Sequence, residues 1–518
     1  VSVIIPGIPA AMQLALAADA HTTGLPVPLL EYRHIPIDPG AQVLSLIGLT
    51  GDNLPVGFAV GGLDDDEPRT VVVVGEPRDP ALAVRAGARM ADILDPLIAG
   101  GAGIVPQLLL DGPNTLDALN AWALRLRNPW LPGPYGADPD LRVAAERCRH
   151  AFALIRSVTT AAKIPDTDVL VTAVEALTGH LMFPLAGAQE SQQLAVLLLC
   201  LYRAGAPITV PLSQRDIVRF IEQIEAAEEI TLSAATDPGW DNKRLFPALY
   251  RFKHLRNATA GRDQMRRVDA AVVDQVARAS GLHHLVRAAL VDRHRAVAEA
   301  FRALRELPEL PSLPVRRAGA VQHARRTLQR GAAHEMAWRD FPTLAAANAD
   351  GRRRDDLKAT ALIDSVRYDR RAFAYAQARG EATVARPVAV SPDGRRVELE
   401  FAVPLAPRGG AGWWWLDDRG PAPIAGDLEV AADGRAGQLT VRQQMRRLAA
   451  DPQILVGQGA IRLTCLTPPF EGRPWSPRSD IPNRPANPGV IIPGAVQPDG
   501  SEGPGRWATP IDFRTLGD

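Results

Sequence analysis

LHHLVRAALVDRHRAVAEAFRALREL, residues 282–307, is the stretch on which the fold turns. Leu285, Val286, Ala289, Val297, Phe301 and Leu304 recur at helical spacing and define a core side. Arg287, Arg293, Arg295, Arg302 and Arg305 fall mostly on the remaining surface. Gly281 stops a preceding helix whose Met265, Val268, Val272 and Val276 face inward. The wider segment, Asn242 to Arg330, holds 19 Lys+Arg against 7 Asp+Glu, in a chain whose formal net charge is zero. The first 140 residues run the other way, with 7 basic and 16 acidic residues.

Charge sorted in this way needs a partner. Backbone phosphates of DNA or RNA are the commonest counterpart of an arginine-covered helix face. An acidic face of the same molecule, or an acidic protein, is the rival. The leading expectation is a non-catalytic nucleic-acid-binding subunit of a larger cytoplasmic assembly. Its contacts would be Arg287, Arg293, Arg295, Arg302 and Arg305, with Arg352, Arg353, Arg354 and Trp414. It requires those guanidinium groups to stay open to an outside polyanion. The alternatives are a structural or adaptor protein, assembling through charge complementarity and a proline-rich arm, and a metal-dependent nuclease.

At 518 residues the chain is too long for one core, and about three domains are expected. Residues 1–128 read as a small α/β layer. Gln42 to Leu49, Val56 to Gly61 and Thr70 to Val74 are strand candidates, and Asp64-Asp65-Asp66-Glu67 is a solvated hairpin loop. Asp79-Pro80 opens a helix. Gly100-Gly101-Ala102-Gly103 lies between a helix and a strand, the reverse of a phosphate-cradling loop, and reads as a helix stop. The strand Val105 to Leu110 and a helix capped by Asn114 or Thr115 complete this layer.

A proline-glycine linker, 128–140, precedes a mostly α-helical bundle over 141–306 with a basic second half. Within it, Val169, Ala173, Val174 and Leu177 read as helix, Glu190 to Arg203 as a central helix, and Ser213 to Asp216 as a capping box. Residues 316–380 form an Arg/Ala-rich helical connector. The period changes at Gly380. Alternating segments over 381–466, with turns at Ser391 to Gly394 and at Asp433-Gly434, predict a small antiparallel β-barrel of oligonucleotide-binding or SH3-like type. In Trp413-Trp414-Trp415 the middle indole must point opposite to its neighbours. Residues 467–518 form a Pro/Gly-rich extended tail with Phe470, Trp475 and Trp507 as anchors.

No catalytic residue and no cofactor is assigned. Cys148, Cys200 and Cys465 form no CxxC pair, which argues against a sequence-local zinc site. His283, His284 and His294 lack the i, i+4 spacing that grips one ion, so no metal site is expected. Asp355-Asp356-Leu357-Lys358 has residue types of a metal nuclease but reads as helix. The most apolar run, Leu194 to Tyr202, is too short to span a bilayer, so no membrane partner is expected. Val1 to Ala10 lacks the basic segment of a secretory signal. Other protein subunits are the expected partners beside nucleic acid.

Overall fold

A computed structural model describes residues 7–49, 54–99, 107–129, 131, 133–161, 169–185, 194–204, 240–259, 270–317, 344–405, 412–416, 425–441 and 460–466. The Gly100–Gly103 loop, the Ser213 capping box and the 467–518 tail lie outside these residues.

Helix α1 (Ala10–Thr23) and the short strand β1 (Val27–Pro28) lead into a meander, β2 (Gln42–Gly48), β3 (Pro55–Gly62) and β4 (Thr70–Val73). Helix α2 (Pro80–Ala99) then crosses to β5 (Leu108–Leu110). Helices α3 (Pro113–Leu126) and α4 (Pro139–Ala161) cross to β6 (Leu170–Thr172). Asp79 starts α2 as expected, its Oδ1 accepting from the backbone N–H of Ala81 at 2.9 Å. The sheet order is β4-β3-β2-β5-β6; the meander is antiparallel, and β5 and β6 run parallel to β2.

The expectation of a separate helical bundle over 141–306 is corrected by β6, which is the edge strand of this sheet. All three of its residues are buried, and a short strand covered on both faces shows no alternation to separate it from helix. The linker at 128–140 contains a 3-10 turn, Gly133–Ala137, and joins two helices that share one core. On that face Trp122 packs between Phe58 and Phe152, with ring centroids 5.7 and 4.9 Å away.

Helix α5 (Ala173–His180), strand β7 (Leu181–Met182), α6 (Leu194–Arg203), a π-helical turn (Asp241–Leu245), α7 (Phe246–Thr259), α8 (Ala270–Ala279) and α9 (Leu282–Arg305) follow. Helix α9 is the opening stretch of the sequence analysis. It lies across the second face of the sheet, over β2 and β3. Gly57 and Gly61 alternate with the bulkier Phe58 and Val60 on β3 and give that helix its floor. A Cβ on Gly57 would stand 2.5 Å from Val286, and one on Gly61 2.8 Å from His294. The helix axis can therefore approach the sheet only because these two positions carry no side chain.

Helices α10 (Leu344–Tyr368) and α11 (Arg370–Ala378) form a hairpin that carries the barrel. Its strands are β8 (Ala382–Val390), β9 (Arg396–Phe401), β10 (Gly412–Trp415), β11 (Ala425–Val430), β12 (Ala436–Val441) and β13 (Ile461–Thr464). The sheet closes in the order β10-β11-β12-β9-β8-β13, all pairs antiparallel. Gly394 and Gly434 take φ of 66° and 70° at the two turns read from sequence. Trp413 and Trp415 fill the barrel with Val397, Leu399 and Leu463, while Val366, Phe373 and Ala376 of the hairpin pack on its outer wall against Ala382 and Leu416.

The hairpin is fastened to the α/β unit by a buried polar joint. Asp369, at the bend between α10 and α11, accepts from the backbone N–H groups of Glu31, Tyr32, Arg371 and Ala372, and contacts His34 Nε2 at 3.2 Å. His180 Nε2 accepts from the His34 backbone N–H at 2.9 Å, which leaves its Nδ1 to donate to the Ala176 carbonyl. Burial holds the His180 imidazole neutral and lowers its pKa to about 4. The unfolded ring binds a proton near pH 6.5, so the stability it gives is complete above that pH and is lost as pH falls toward 4. Acidification across that window is expected to cost about 3 kcal/mol through this residue. Urea unfolding at stepped pH should show the slope, and His180→Gln should flatten it.

Candidate nucleic-acid interface

The arginines of α9 meet the acidic run of the β3–β4 loop. Arg287 pairs with Glu67 at 2.9 Å and Arg305 with Asp64 at 2.7 Å. Arg295 reaches Glu67 at 3.6 Å and donates its Nε–H to the Asp66 carbonyl. Arg302 donates to the Leu63 carbonyl and pairs with Glu299 at 2.7 Å. Five arginines, Arg69, Arg287, Arg295, Arg302 and Arg305, thus stand among five carboxylates, those of Asp64, Asp65, Asp66, Glu67 and Glu299. The ridge is locally neutral. Surface pairs of this kind are each worth only about 0–1 kcal/mol, yet a neutral ridge exerts little net pull on a polyanion. The loop read as solvated is the counterpart of the helix.

Arg293 is different. It is 2% exposed, on the buried stripe of the helix, and its guanidinium donates to the Leu46 carbonyl on β2. Burial lowers its pKa to about 10, opposed by the charges of Asp111 and Asp241. Asp111 follows β5, and burial pushes its carboxyl up against the pull of Arg293 and Thr115. In an open sheet, the crevice at the carboxyl ends of parallel strands, where the strand order reverses, is the usual place for a ligand. Here that place, between β2 and β5, is filled by the chain's own Arg293 and Asp111. Asp241 stands at the start of the π-helical turn, so the same ionic cluster ties down the entry to α7.

Helix α7 carries the charge that α9 does not leave open. Residues 242–261 contain Lys243, Arg244, Arg251, Lys253 and Arg256 and no Asp or Glu. Leu245, Ala248, Leu249 and Phe252 are buried, which turns the opposite face outward. Phe246, Tyr250, Lys253, His254 and Asn257 share that face and are exposed. Arg256 pairs with Asp79 at 2.6 Å, and Arg251 donates to the Ser280 carbonyl. Arg244 and Lys253 have no ion-pair partner among the described residues.

No family model, curated protein or solved structure matches this chain.

The remaining sequence-derived positions are spread elsewhere. Arg352, Arg353 and Arg354 fall on α10, where their side chains lie outside the described residues. Trp414 points to the outside of the barrel beside Thr464, with its Nε1 shielded from solvent and without a hydrogen-bond partner. His283 lies 3.9 Å from Asp274, and His294 contacts the Asp65 carbonyl at 3.3 Å. Among the described residues no group of three or more His, Cys, Asp or Glu is placed to hold a metal ion, and no helix is long and apolar enough to cross a membrane. A simple count of cations favours α9, with five arginines in Leu282–Arg305, over α7, with three basic residues in Phe246–Thr259. The signal that marks α7 is the absence of acid over twenty consecutive residues.

Proposed function

We propose that the chain is a nucleic-acid-binding subunit that meets its partner through the outer face of α7 and the adjoining π-helical turn. The observation that carries this reading is a basic, acid-free helix face whose Arg244 and Lys253 are exposed and, among the described residues, without carboxylate partners. The small closed six-stranded antiparallel barrel would serve as a second platform in the cytoplasmic assembly proposed here, on the reading that it works as an oligonucleotide-binding or SH3-like module does. The structural or adaptor reading has its own support, because the α9 ridge shows charge complementarity already used to bind one part of the chain to another.

Fluorescence anisotropy with a labelled oligonucleotide separates the two. Each phosphate neutralised contributes about −0.7 to −0.9 to the slope of log affinity against log salt. Arg244→Ala with Lys253→Ala is expected to make that slope shallower by about 1.4 to 1.8. Arg287→Ala with Arg295→Ala should leave it unchanged. Absence of binding at about 50 mM salt rejects the proposal in favour of the adaptor.

A further inference from the structure

We infer that the α7 face takes single-stranded nucleic acid, holding the backbone by charge and the bases by stacking; this rests on the reading of α7 as the polyanion surface. Phe246, Tyr250 and His254 are spaced four residues apart, so one ring projects per helical turn with a rise of about 6 Å between them. Tyr250 is 64% exposed and Phe246 38% exposed, in a chain whose aromatic content is 5% and whose Phe58, Phe152, Phe252 and Phe301 are fully buried. The Tyr250 and His254 rings stand 4.5 Å apart at 66°, edge to face, which props the tyrosine away from the helix wall. At about 100° per residue Lys253 lies on one side of the ring row and Arg251 on the other, and Arg244 precedes it in the π-helical turn.

A duplex keeps its bases paired and stacked, so it can offer this row only phosphates. An unpaired strand offers phosphates and base faces together. Aromatic rings bind base faces with little regard to sequence, because every base has one. The face therefore fits a strand without a fixed sequence, its phosphates reaching Lys253 beside the rings and Arg244 at the helix entry while successive bases meet Phe246 and Tyr250. Stacking adds affinity for the strand that a duplex or a base-free polyanion cannot gain.

The test uses the full chain with labelled oligothymidylate and oligouridylate of about 16 nucleotides, a duplex of equal length, and heparin as a polyanion without bases. Either single strand should bind roughly tenfold or more tightly than the duplex. Tyr250→Ala should cost the strand about tenfold and leave duplex and heparin unchanged, whereas Tyr250→Trp should keep strand affinity. The tyrosine is exposed, so neither change threatens folding. Equal affinity for strand and duplex, or a Tyr250→Ala variant that binds strand normally, overturns the inference while leaving the charged surface standing. Failure of all four polyanions to bind at low salt overturns the surface itself. Loss in Tyr250→Ala of duplex and strand alike also overturns the stacking assignment.

Discussion

Asp369→Ala is expected to lower the unfolding free energy by about 4–5 kcal/mol, the upper end of what single substitutions do. The carboxylate is fully buried and satisfies donors from two parts of the chain: the segment holding Glu31, Tyr32 and His34, and the first turn of α11. Burial by itself would raise its pKa. The hydrogen bonds from His34, from Ala372 and from Glu31 outweigh that and hold it below the usual carboxylate range. Alanine removes an N-cap, worth about 0.5–2 kcal/mol. It also strands the part-buried Glu31 and Tyr32 N–H groups and the buried His34 ring, at up to about 1–3 kcal/mol for each donor left unsatisfied, with incomplete additivity. Beyond lost stability, the joint between the α/β unit and the barrel-bearing hairpin should open. Limited proteolysis would then cut before residue 369 while the barrel survives. A melting temperature within two or three degrees of wild type, about what 1 kcal/mol shifts in a large chain, would show that the joint is not held here.

Arg293→Ala should cost about 3–5 kcal/mol, because it leaves buried carboxylates without their cation. Asp111 then has burial pushing its pKa up and no guanidinium opposing it. Its native pKa, already above the unfolded value near 3.9, rises further, so over a wider pH range the native state binds more protons than the unfolded chain. The sign follows: the deficit relative to wild type should grow as pH rises from about 5 to about 8. Asp111→Asn in the same background should recover part of the loss and remove the added pH dependence. Denaturant unfolding of the three variants at both pH values reads this out. A deficit that is constant with pH would mean that Arg293 acts through packing alone.

How far the sequence discloses this molecule depends on the range of the interaction concerned. The barrel is legible because its reporters are local. Arg396–Phe401 alternates exposed and buried without a break, and the two turn glycines sit where a hairpin needs positive φ. The meander strands show no alternation in burial, and they are legible instead from their runs of Val, Leu and Ile bounded by turn residues. Strand β6 is not, since Leu170, Val171 and Thr172 are buried together and mimic the start of a helix. The inward stripe of α9 could be read, and Arg293 falls on it, at the spacing of Val286, Leu290, Val297 and Phe301. An arginine on an apolar stripe is the sequence's own sign of a buried ionic cluster. The pairing of Arg287 with Glu67 had no local sign, for 220 residues separate them. Counting charge along the chain located both partners of that ridge but not their meeting. For the same reason it favoured α9, which carries five arginines, over α7 and its entry turn, where Arg244 and Lys253 have no ion-pair partner among the described residues.

The glycine floor on β3 has a consequence for biosynthesis. The strand is finished at residue 62, but its cover is complete only when residue 305 has been made. At about 5–20 residues per second the gap lasts roughly ten to fifty seconds. Throughout that interval the nascent chain presents a bare apolar sheet face to the ribosome's surroundings. A chaperone able to shield it, or a deliberate pause once Arg305 has cleared the exit tunnel, would decide the yield of intact molecules. Fragments ending before Leu282 should accumulate as aggregates.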